Sequence, residues 1–403
     1  MTSTWTTTTV GALAHVSRGA SPRPITSPRW FDSSGEVRWV RIADVNRSNG
    51  RTLLATTQAL SADGIARSRY LKPGTLIMSI AAAVGIPVIT GVPACIHDGF
   101  VSLENLKANK RFMLYLLKAS EPRLREAGQS GSQMNVNSDI VRGLTVRIPS
   151  SVEEQARVAS VLWDVDDLIA SLENTIVKKR AIKQGIMQDL LTGRTRLPGF
   201  GDPWQVRKVG DFAQVKAGGT PSTAVSRYWG GEIRWMSSGE IHQKRVHEVA
   251  GRITADGLRE SAARLLPVGT ILMALAGQGK TRGTVAVSRV ELSTNQSIAG
   301  ILPGDEHDSD FLYYSLDTRY SELRGESTGD GGRGGLNLTI INRLDVYMPD
   351  VEEQRAIARV LVDVDDELDG LSRRLEATRA IKQGMMQELL TGRTRLAVKE
   401  DAA

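Results

Sequence analysis

One short segment of the sequence has the residue types and spacing of a phosphate-binding loop. Ala274–Thr281 matches the nucleotide-binding pattern, with alanine where the first glycine is usual. Such a loop follows a strand and opens a helix whose N-terminal amides hold the phosphate. Thr270–Met273 suits the strand, but Arg282–Val287 is a turn followed by β-branched residues rather than a helix. We therefore expect a flexible basic loop in which Lys280 and Arg282 meet a phosphate backbone, and no NTP site.

Other catalytic motifs are missing from the sequence. It has no Asp/Glu-x-Lys tripeptide of the kind that metal-dependent nucleases use, and no Pro-Pro dipeptide of the kind found in DNA amino-methyltransferases. The five histidines are scattered, and His242 and His247 have no cysteine near them, whereas a zinc site needs four ligands. We therefore expect no catalytic residues, no metal site and no cofactor in this chain.

Length and composition predict a folded protein of the cytoplasm. The 403 residues, 41% of them hydrophobic, are enough for two or three cores. The single cysteine, Cys95, fits a reducing compartment. Met1–Val10 lacks the basic and apolar regions of a signal peptide, and no apolar run reaches the ~18 residues that a membrane span needs. We expect no membrane partner.

An internal repeat dominates the sequence. Residues 152–197 align with 351–396 without a gap, at an offset of 199 residues, and 28 of the 46 aligned positions are identical. Val-Glu-Glu-Gln opens both copies, and Leu-Thr-Gly-Arg-Thr-Arg-Leu closes both. Identity at this level indicates a duplication.

Each copy of the repeat predicts a long helix. No proline interrupts either copy, and Gly193 and Gly392 suit helix C-termini. Apolar residues recur at alternating spacings of three and four, the period of a coiled-coil seam. The residues expected to pair the two helices as an antiparallel coiled coil are Leu162, Val165, Ile169, Leu172 and Ile176 with Leu361, Val364, Leu368, Leu371 and Leu375.

The seam becomes polar after its fifth position in each copy, beginning with Lys179 and Thr378. The helices could splay there, or an outside partner could cover these positions. Two unrelated amphipathic helices on separate domains are the alternative to mutual pairing.

Two larger segments, 1–150 and 198–350, lie outside the helices. They are weakly similar, since Leu71–Met78 resembles Leu266–Met273. Both mix short β-branched runs with turns and short helical stretches, so each is expected to be a mixed α/β (α+β) globule. The predicted order is a globule at 1–150, a helical region at 151–197, a globule at 198–350, a helical region at 351–397 and a tail at 398–403.

Basic charge is concentrated in the first globule. Residues 1–151 contain 18 Lys and Arg against 9 Asp and Glu, whereas 198–350 contain 17 against 18. A basic globule favours a polyanionic partner. A merely solvated surface would explain the same charge.

Several motifs resemble those of the specificity subunits of type I restriction–modification systems. In the second globule these are Thr220-Pro-Ser-Thr, Tyr228–Trp235, Ser237–Ile241, Gly277–Gly283 and Thr294–Ser297. Val-Glu-Glu-Gln and the Leu-Leu-Thr-Gly ends resemble the central and distal helical regions of that family, and the match spans nearly the whole chain. The first globule has recognisable motifs of this kind near Arg18 and Trp39 but lacks Gly-Gln-Gly-Lys-Thr-Arg-Gly, as expected if the two domains read different DNA sequences.

The resemblance implies a subunit that recognises DNA and does not catalyse. Each globule would be a target recognition domain that reads one half of a bipartite, asymmetric site in double-stranded DNA. Modification (methyltransferase) subunits, which bind S-adenosylmethionine, would dock beside it, and a restriction (motor-nuclease) subunit using ATP and Mg would complete the complex. The expected DNA contacts are basic and amide side chains. Gln133, Lys280, Arg282 and Arg333 are expected on polar or glycine-rich loops, and the other expected contacts are Arg18, Asn137, Lys216 and Asn337.

Two alternatives come from other functional classes. A stand-alone structural or regulatory DNA-binding protein would bind DNA tightly without partners. An NTPase or nuclease with cryptic motifs would show turnover when purified alone.

Overall fold

The computed structural model describes residues 4–48, 50–128, 136–277, 280–325 and 335–396. The chain forms two compact units, one made of Met1–Thr175 with Ser372–Ala403 and the other of Ile176–Leu371. Each unit contains a globule of strands and short helices together with parts of two long helices. This architecture confirms the expected mixed fold class.

The first globule is built around a five-stranded sheet. Its strands are β1 (Trp5–Thr9), β2 (His15–Arg18), β3 (Arg38–Val40), β4 (Thr52–Leu53), β5 (Gln58–Ala59), β6 (Arg69–Leu71), β7 (Leu76–Ser79), β8 (Pro87–Thr90), β9 (Ala94–Ile96), β10 (Phe100–Glu104) and β11 (Thr145–Pro149). Its helices are α1 (Val10–Leu13), α2 (Ile42–Arg47), α3 (Ala62–Ala66), α4 (Lys110–Ala119), α5 (Glu121–Ala127) and α6 (Ser138–Gly143). The main sheet has the order β2-β10-β7-β8-β4, with β4 parallel to β8 and the other neighbours antiparallel. A four-stranded sheet (β5-β3-β9-β6) and the pair β1-β11 complete the globule.

The second globule follows the first long helix, α7 (Val152–Leu190), and repeats the five-stranded sheet. Its strands are β12 (Gln205–Lys208), β13 (Val215–Ala217), β14 (Trp229–Met236), β15 (Arg245–Val246), β16 (Gly251–Ile253), β17 (Ile271–Ala274), β18 (Val285–Ser288), β19 (Ser293–Thr294), β20 (Ile298–Ile301) and β21 (Asp345–Met348). Its helices are α8 (Val209–Phe212), α9 (Ala255–Arg259), α10 (Ser309–Asp317), α11 (Tyr320–Gly325) and α12 (Leu338–Asn342), and α13 (Val351–Leu389) is the second long helix. The order β13-β20-β17-β18-β15, with the edge pair β15/β18 parallel, reproduces the first globule's sheet. Its smaller sheets are β16-β14-β19 and β12-β21.

The five-stranded sheets are covered on both faces, which explains their continuous apolar strands. In β7 every residue is buried, and alternate side chains enter different cores. Leu76 and Met78 join the core that contains α4 and the long helices, whereas Ile77 packs toward the four-stranded sheet. The second globule repeats the division, with Met273 on the helix side and Leu272 on the other.

The ends of the long helices match their sequence signals. The Asp350 carboxylate accepts from the Glu353 amide at 2.8 Å, and the Ser151 hydroxyl accepts from the Glu154 amide at 3.3 Å. These side chains cap the helix N-termini. Beyond the C-termini, Gly193 (φ +67°) and Gly392 (φ +73°) adopt the left-handed conformation. This is the conformation that commonly ends a helix and that glycine adopts without strain, so the predicted ends are confirmed.

Ion pairs within each unit show that the long helices pair antiparallel. In the first unit Arg395 binds Glu154 at 2.7 Å and Lys382 binds Asp166 at 2.6 Å. The start of α7 therefore lies beside the end of α13. In the second unit the equivalent pairs are Arg196–Glu353 at 2.6 Å and Lys183–Asp365 at 2.5 Å.

The predicted seam residues are shielded from solvent. Six are buried: Leu162, Leu172, Ile176, Leu361, Leu368 and Leu375. Four are half-buried: Val165, Ile169, Val364 and Leu371. The polar positions do not splay the helices, because Lys183 and Lys382 each form an ion pair with an aspartate of the other long helix.

None of the helices in the described parts of the chain has both the length and the apolar character needed to cross a bilayer.

Candidate nucleic-acid interface

The hairpin loop between β17 and β18 carries two of the predicted DNA-contact residues, Lys280 and Arg282. The strand predicted before this loop is β17, and the loop ends in a turn that leads directly into β18. No helix follows the turn, so the helix N-terminus that would hold a nucleotide phosphate is missing here. The segment is therefore a basic β-hairpin loop, as the sequence suggested.

Helix α11 supplies two further polar residues beside this loop, Tyr320 and Arg324. The Tyr320 hydroxyl donates to the Lys280 carbonyl at 3.0 Å and accepts from Arg324 at 3.0 Å. Lys280 is exposed and Arg282 is half-buried. We call Lys280, Arg282, Tyr320 and Arg324 the second-domain loop cluster. Sequence reasoning missed Tyr320 and Arg324, because about 40 residues separate them from the loop.

Asn337 lies near the base of the same hairpin. The amide of its neighbour, Leu336, donates to the carbonyl of Leu275, where the loop begins, at 3.0 Å. The side-chain oxygen of Asn337 accepts from the Ile340 amide at 2.9 Å and so caps α12. The structure thus gives this exposed asparagine a structural role in addition to its predicted DNA contact.

Asn137 occupies the matching position in the first globule. Its side-chain oxygen caps α6, accepting from the amides of Asp139 and Ile140 at 3.0 and 2.9 Å. Val136, just before it, donates to the carbonyl of Ile80 at 3.0 Å, as Leu336 does to Leu275. The loop that begins at Ile80 is therefore the first globule's counterpart of the basic hairpin.

Arg18 and Lys216 lie on equivalent edge strands, β2 and β13, rather than on hairpin loops. Arg18 is exposed, and its Nε donates to the carbonyl of Asp98 at 2.8 Å. Lys216 is half-buried and pairs with Gly300 in the sheet. The other two predicted contacts, Gln133 and Arg333, lie outside the described residues.

In the described ranges, no group of three or more His, Cys, Asp or Glu side chains is arranged to hold a metal ion. The hairpin of the second globule places Lys280 and Arg282 beside Tyr320, and these residue types contact phosphate oxygens in protein–DNA interfaces.

Comparison with known families identifies the two repeated halves. The model of a family described as the type I restriction modification DNA specificity domain matches residues 2–179 and again 201–378. The chain belongs to this family. Each match covers one globule and most of the long helix that follows it, so the duplication seen in the sequence is a duplication of the specificity domain.

Specificity subunits are also among the individual proteins that the chain matches. It is 32% identical over 177 residues to the type I restriction enzyme MjaIX specificity subunit of Methanocaldococcus jannaschii, an alignment that covers 43% of this chain and 40% of that protein. It is 23% identical over 370 residues to a candidate type I restriction enzyme MjaX specificity subunit of the same organism, covering 86% and 84%. The fold is similar to the crystal structure of a type I restriction–modification system S subunit from M. genitalium, with a TM-score of 0.63, 15% identity and 96% of each chain covered.

Proposed function

We propose that this specificity-domain protein is the DNA-recognition subunit of a type I restriction–modification complex and that it reads a bipartite, asymmetric target. The observation that carries the proposal is that the two globules share one sheet order but present different loops. The second displays Lys280 and Arg282 on its hairpin, whereas residues 80–86 of the first contain no charged side chain. Domains of one fold with different contact residues suit two different half-sites.

Linking two readers in one chain has a physical advantage. Once one domain has bound its half-site, the other binds as an intramolecular event, so affinity rises if the geometry lets both engage. Phosphate contacts by Lys and Arg would position each domain, and contacts to base edges would give the sequence preference.

The long helices would dock the partner subunits. Ile182 of α7 and Ile381 of α13 are equivalent residues, and their exposed fractions are 58% and 59%. Gly185 and Gly384 lie three residues further along, and a Cβ on either glycine would meet open space. Glycine inside a helix is destabilising, and no neighbouring atom of this chain requires it at these positions. Two identical exposed segments suit two copies of one partner, which we assign as the modification subunit.

Catalysis would belong to those partners. S-adenosylmethionine would be bound by the modification subunits, and ATP and Mg would be used by the restriction subunit. The lack of nuclease and methyltransferase motifs in the sequence supports this division. The complex would act on DNA in the cytoplasm.

Isolation of the tagged chain from its native host, followed by methylation mapping, tests the proposal. We expect a methyltransferase and a motor-nuclease to co-purify, and adenine methylation at a motif of two short parts separated by a gap of fixed length. Exchanging residues 198–350 for those of another family member should change one part of the motif only. Exchanging 1–150 is the matched control and should change the other part.

Two results would contradict the proposed function. A single continuous motif would exclude the bipartite reader. Tight, sequence-selective binding by the chain in the absence of any partner would favour a stand-alone DNA-binding protein.

A further inference from the structure

Two exposed arginines of the first globule lie against one buried tryptophan. The guanidinium carbon of Arg29 lies 3.8 Å from the centroid of the Trp30 ring, and that of Arg67 lies 5.7 Å from it. Trp30 is 1% exposed, and its indole N–H donates to the carbonyl of Pro24 at 2.8 Å. The ring is therefore a fixed platform for the Arg29–Trp30–Arg67 cluster.

This arrangement holds Arg29 against the ring and Arg67 farther from it but still near it, since cation–π attraction reaches to about 6 Å from the centroid. No ion pair joins Arg29 or Arg67 to a carboxylate within the described part of the chain. An ordered, exposed guanidinium with free donors is suited to bidentate contact with phosphate.

The second globule contains the same local fold, so the two sites can be compared residue by residue. A Cβ on Gly64 of α3 would lie 2.4 Å from the carbonyl oxygen of Trp30, and one on Gly257 of α9 would lie 2.5 Å from that of Tyr228. Both helices therefore need glycine to pack this closely. Tyr228 thus corresponds to Trp30, and the residue after each helix, Arg67 or Glu260, is its C-cap.

At the second site the charge is neutralised. Arg227, which corresponds to Arg29, binds the Glu260 carboxylate at 2.7 Å, and the Tyr228 hydroxyl donates to the same carboxylate at 2.7 Å. Hydrogen bonds from Tyr228 and Arg259 hold the pKa of Glu260 below its ordinary value, so this carboxylate is charged at neutral pH. The second domain has Glu260 where the first has Arg67, so it lacks the local excess of positive charge.

We propose that the Arg29–Trp30–Arg67 cluster binds DNA phosphate and that the second domain makes no equivalent contact. The inference rests on the proposed function and deepens it, because it makes the two domains unequal. The first domain would gain sequence-independent affinity at a position where the second domain gains none. It also gives a use to part of the basic excess of residues 1–151.

Salt-dependent binding of a random-sequence DNA duplex tests this contact. The full-length chain is used in the assembly in which it is isolated, and fluorescence anisotropy gives the Kd. Each lost phosphate contact reduces the magnitude of the slope of log K against log salt by about 0.9. Extrapolated from 1 M salt, this weakens binding about eightfold at 0.1 M salt. We therefore expect the double variant Arg29→Gln/Arg67→Gln to weaken binding by roughly 10- to 60-fold and to flatten the slope. Arg227→Gln/Glu260→Gln removes a neutral pair at the second site, so it is the matched control and should change neither.

Reciprocal substitutions make the test independent of folding defects. Arg67→Glu copies the second site and should weaken binding, whereas Glu260→Arg copies the first site and should tighten binding by roughly eightfold. An unchanged Kd and slope in the double variant would overturn the contact while leaving the proposed function intact. Absence of DNA binding by the wild-type assembly would overturn both. Weaker retention of a partner with unchanged DNA binding would reassign the cluster to a protein contact.

Discussion

Asp166 of α7 contacts both the first globule and the other long helix, α13. It accepts a hydrogen bond from Tyr115 of α4 at 2.7 Å, and Lys382 of α13 lies 2.6 Å from it. A largely buried carboxylate with several partners stabilises the structure only while all of them are present, because a charge left unpaired is costly. The second unit repeats this network with Tyr314, Asp365 and Lys183.

Lys118 makes the network of the first unit sensitive to pH. Burial, together with the nearby positive charge of Lys382, lowers the pKa of Lys118 to about 8. Below pH 8 the lysine is protonated in both the folded and the unfolded chain, so the full free-energy penalty of burying its charge applies. This penalty falls as the pH rises from 8 toward the unfolded pKa of about 10.4. Lys118→Met should raise the free energy of unfolding by about 1–2 kcal/mol at pH 7 and by much less at pH 10. Thermal unfolding against pH measures this, with the exposed Lys107→Met as control; a constant difference across that range would contradict it.

Lys280 discriminates between the two interpretations of the hairpin loop. Lys280→Ala should weaken DNA binding by the assembled complex about eightfold at 0.1 M salt, because one phosphate contact is lost. Neither the wild-type chain nor the variant is expected to bind a nucleotide at this loop, since no helix follows it. Titration with ATP and with DNA measures both, and Lys178→Ala on the exposed face of α7 is the control. Saturable ATP binding that disappears in the variant would restore the phosphate-loop interpretation.

The long helices carry a charge pattern that enforces their antiparallel pairing. The aspartates of the two networks lie in the N-terminal halves, at positions 166 and 365, and the lysines lie in the C-terminal halves, at 183 and 382. Parallel pairing would place like charges together, whereas antiparallel pairing places each aspartate beside a lysine. Since both copies have the same pattern, each helix is also complementary to itself.

A fragment ending near Gly199 should therefore form a symmetric dimer. Asp166 of each protomer would pair with Lys183 of its partner, in place of Lys382. Light scattering at concentrations well above micromolar measures the association, and the dimer should prefer a palindromic DNA site. Asp166→Lys should weaken the dimer, and adding Lys183→Asp should restore it. A monomer at all concentrations would count against self-complementarity.

Local patterns predicted the elements well, but contacts distant in sequence needed the structure. The period of Leu162 to Ile176 predicted the helix because burial repeats along one face. Nothing local indicated that Lys382 would meet Asp166, since 216 residues separate them. Asn137 and Asn337 show the same limit, because an asparagine after a glycine-rich loop suits both a DNA contact and a helix cap, and only the observed bond to the next turn establishes the cap.

At the scale of the whole molecule, the helices are expected to set the distance between the two half-targets. A 39-residue helix is roughly 58 Å long. Inserting four residues after Ile176, with four more after Leu371, should lengthen both helices by roughly 6 Å while preserving the pairs Asp166–Lys382 and Lys183–Asp365. The gap between the half-targets should grow by about one to two base pairs, at about 3.4 Å each. Methylation mapping measures the gap, and an unchanged gap with activity retained would contradict the expectation that the helices set this distance.

The purified chain alone should be inactive. With DNA, Mg, ATP and S-adenosylmethionine it should neither cut nor methylate, because its sequence lacks the motifs for both reactions. Gel assays and methyl transfer from labelled S-adenosylmethionine measure this. Addition of the modification partner is the positive control, and activity that survives removal of trace partners would contradict the expectation.

The division of the chain between its units determines when each can be completed during synthesis. The second unit is one continuous segment, Ile176–Leu371, whereas the first needs Ser372–Ala403 as well. Leu389 and Leu390 belong to the first unit's main core, and Arg395 closes onto Glu154. We therefore expect the first unit to complete its core only after α13 has been synthesised, whereas the second unit can be completed earlier. Nascent chains stopped near residue 371 would expose an apolar surface at Leu162 and its neighbours and would be the most prone to aggregate.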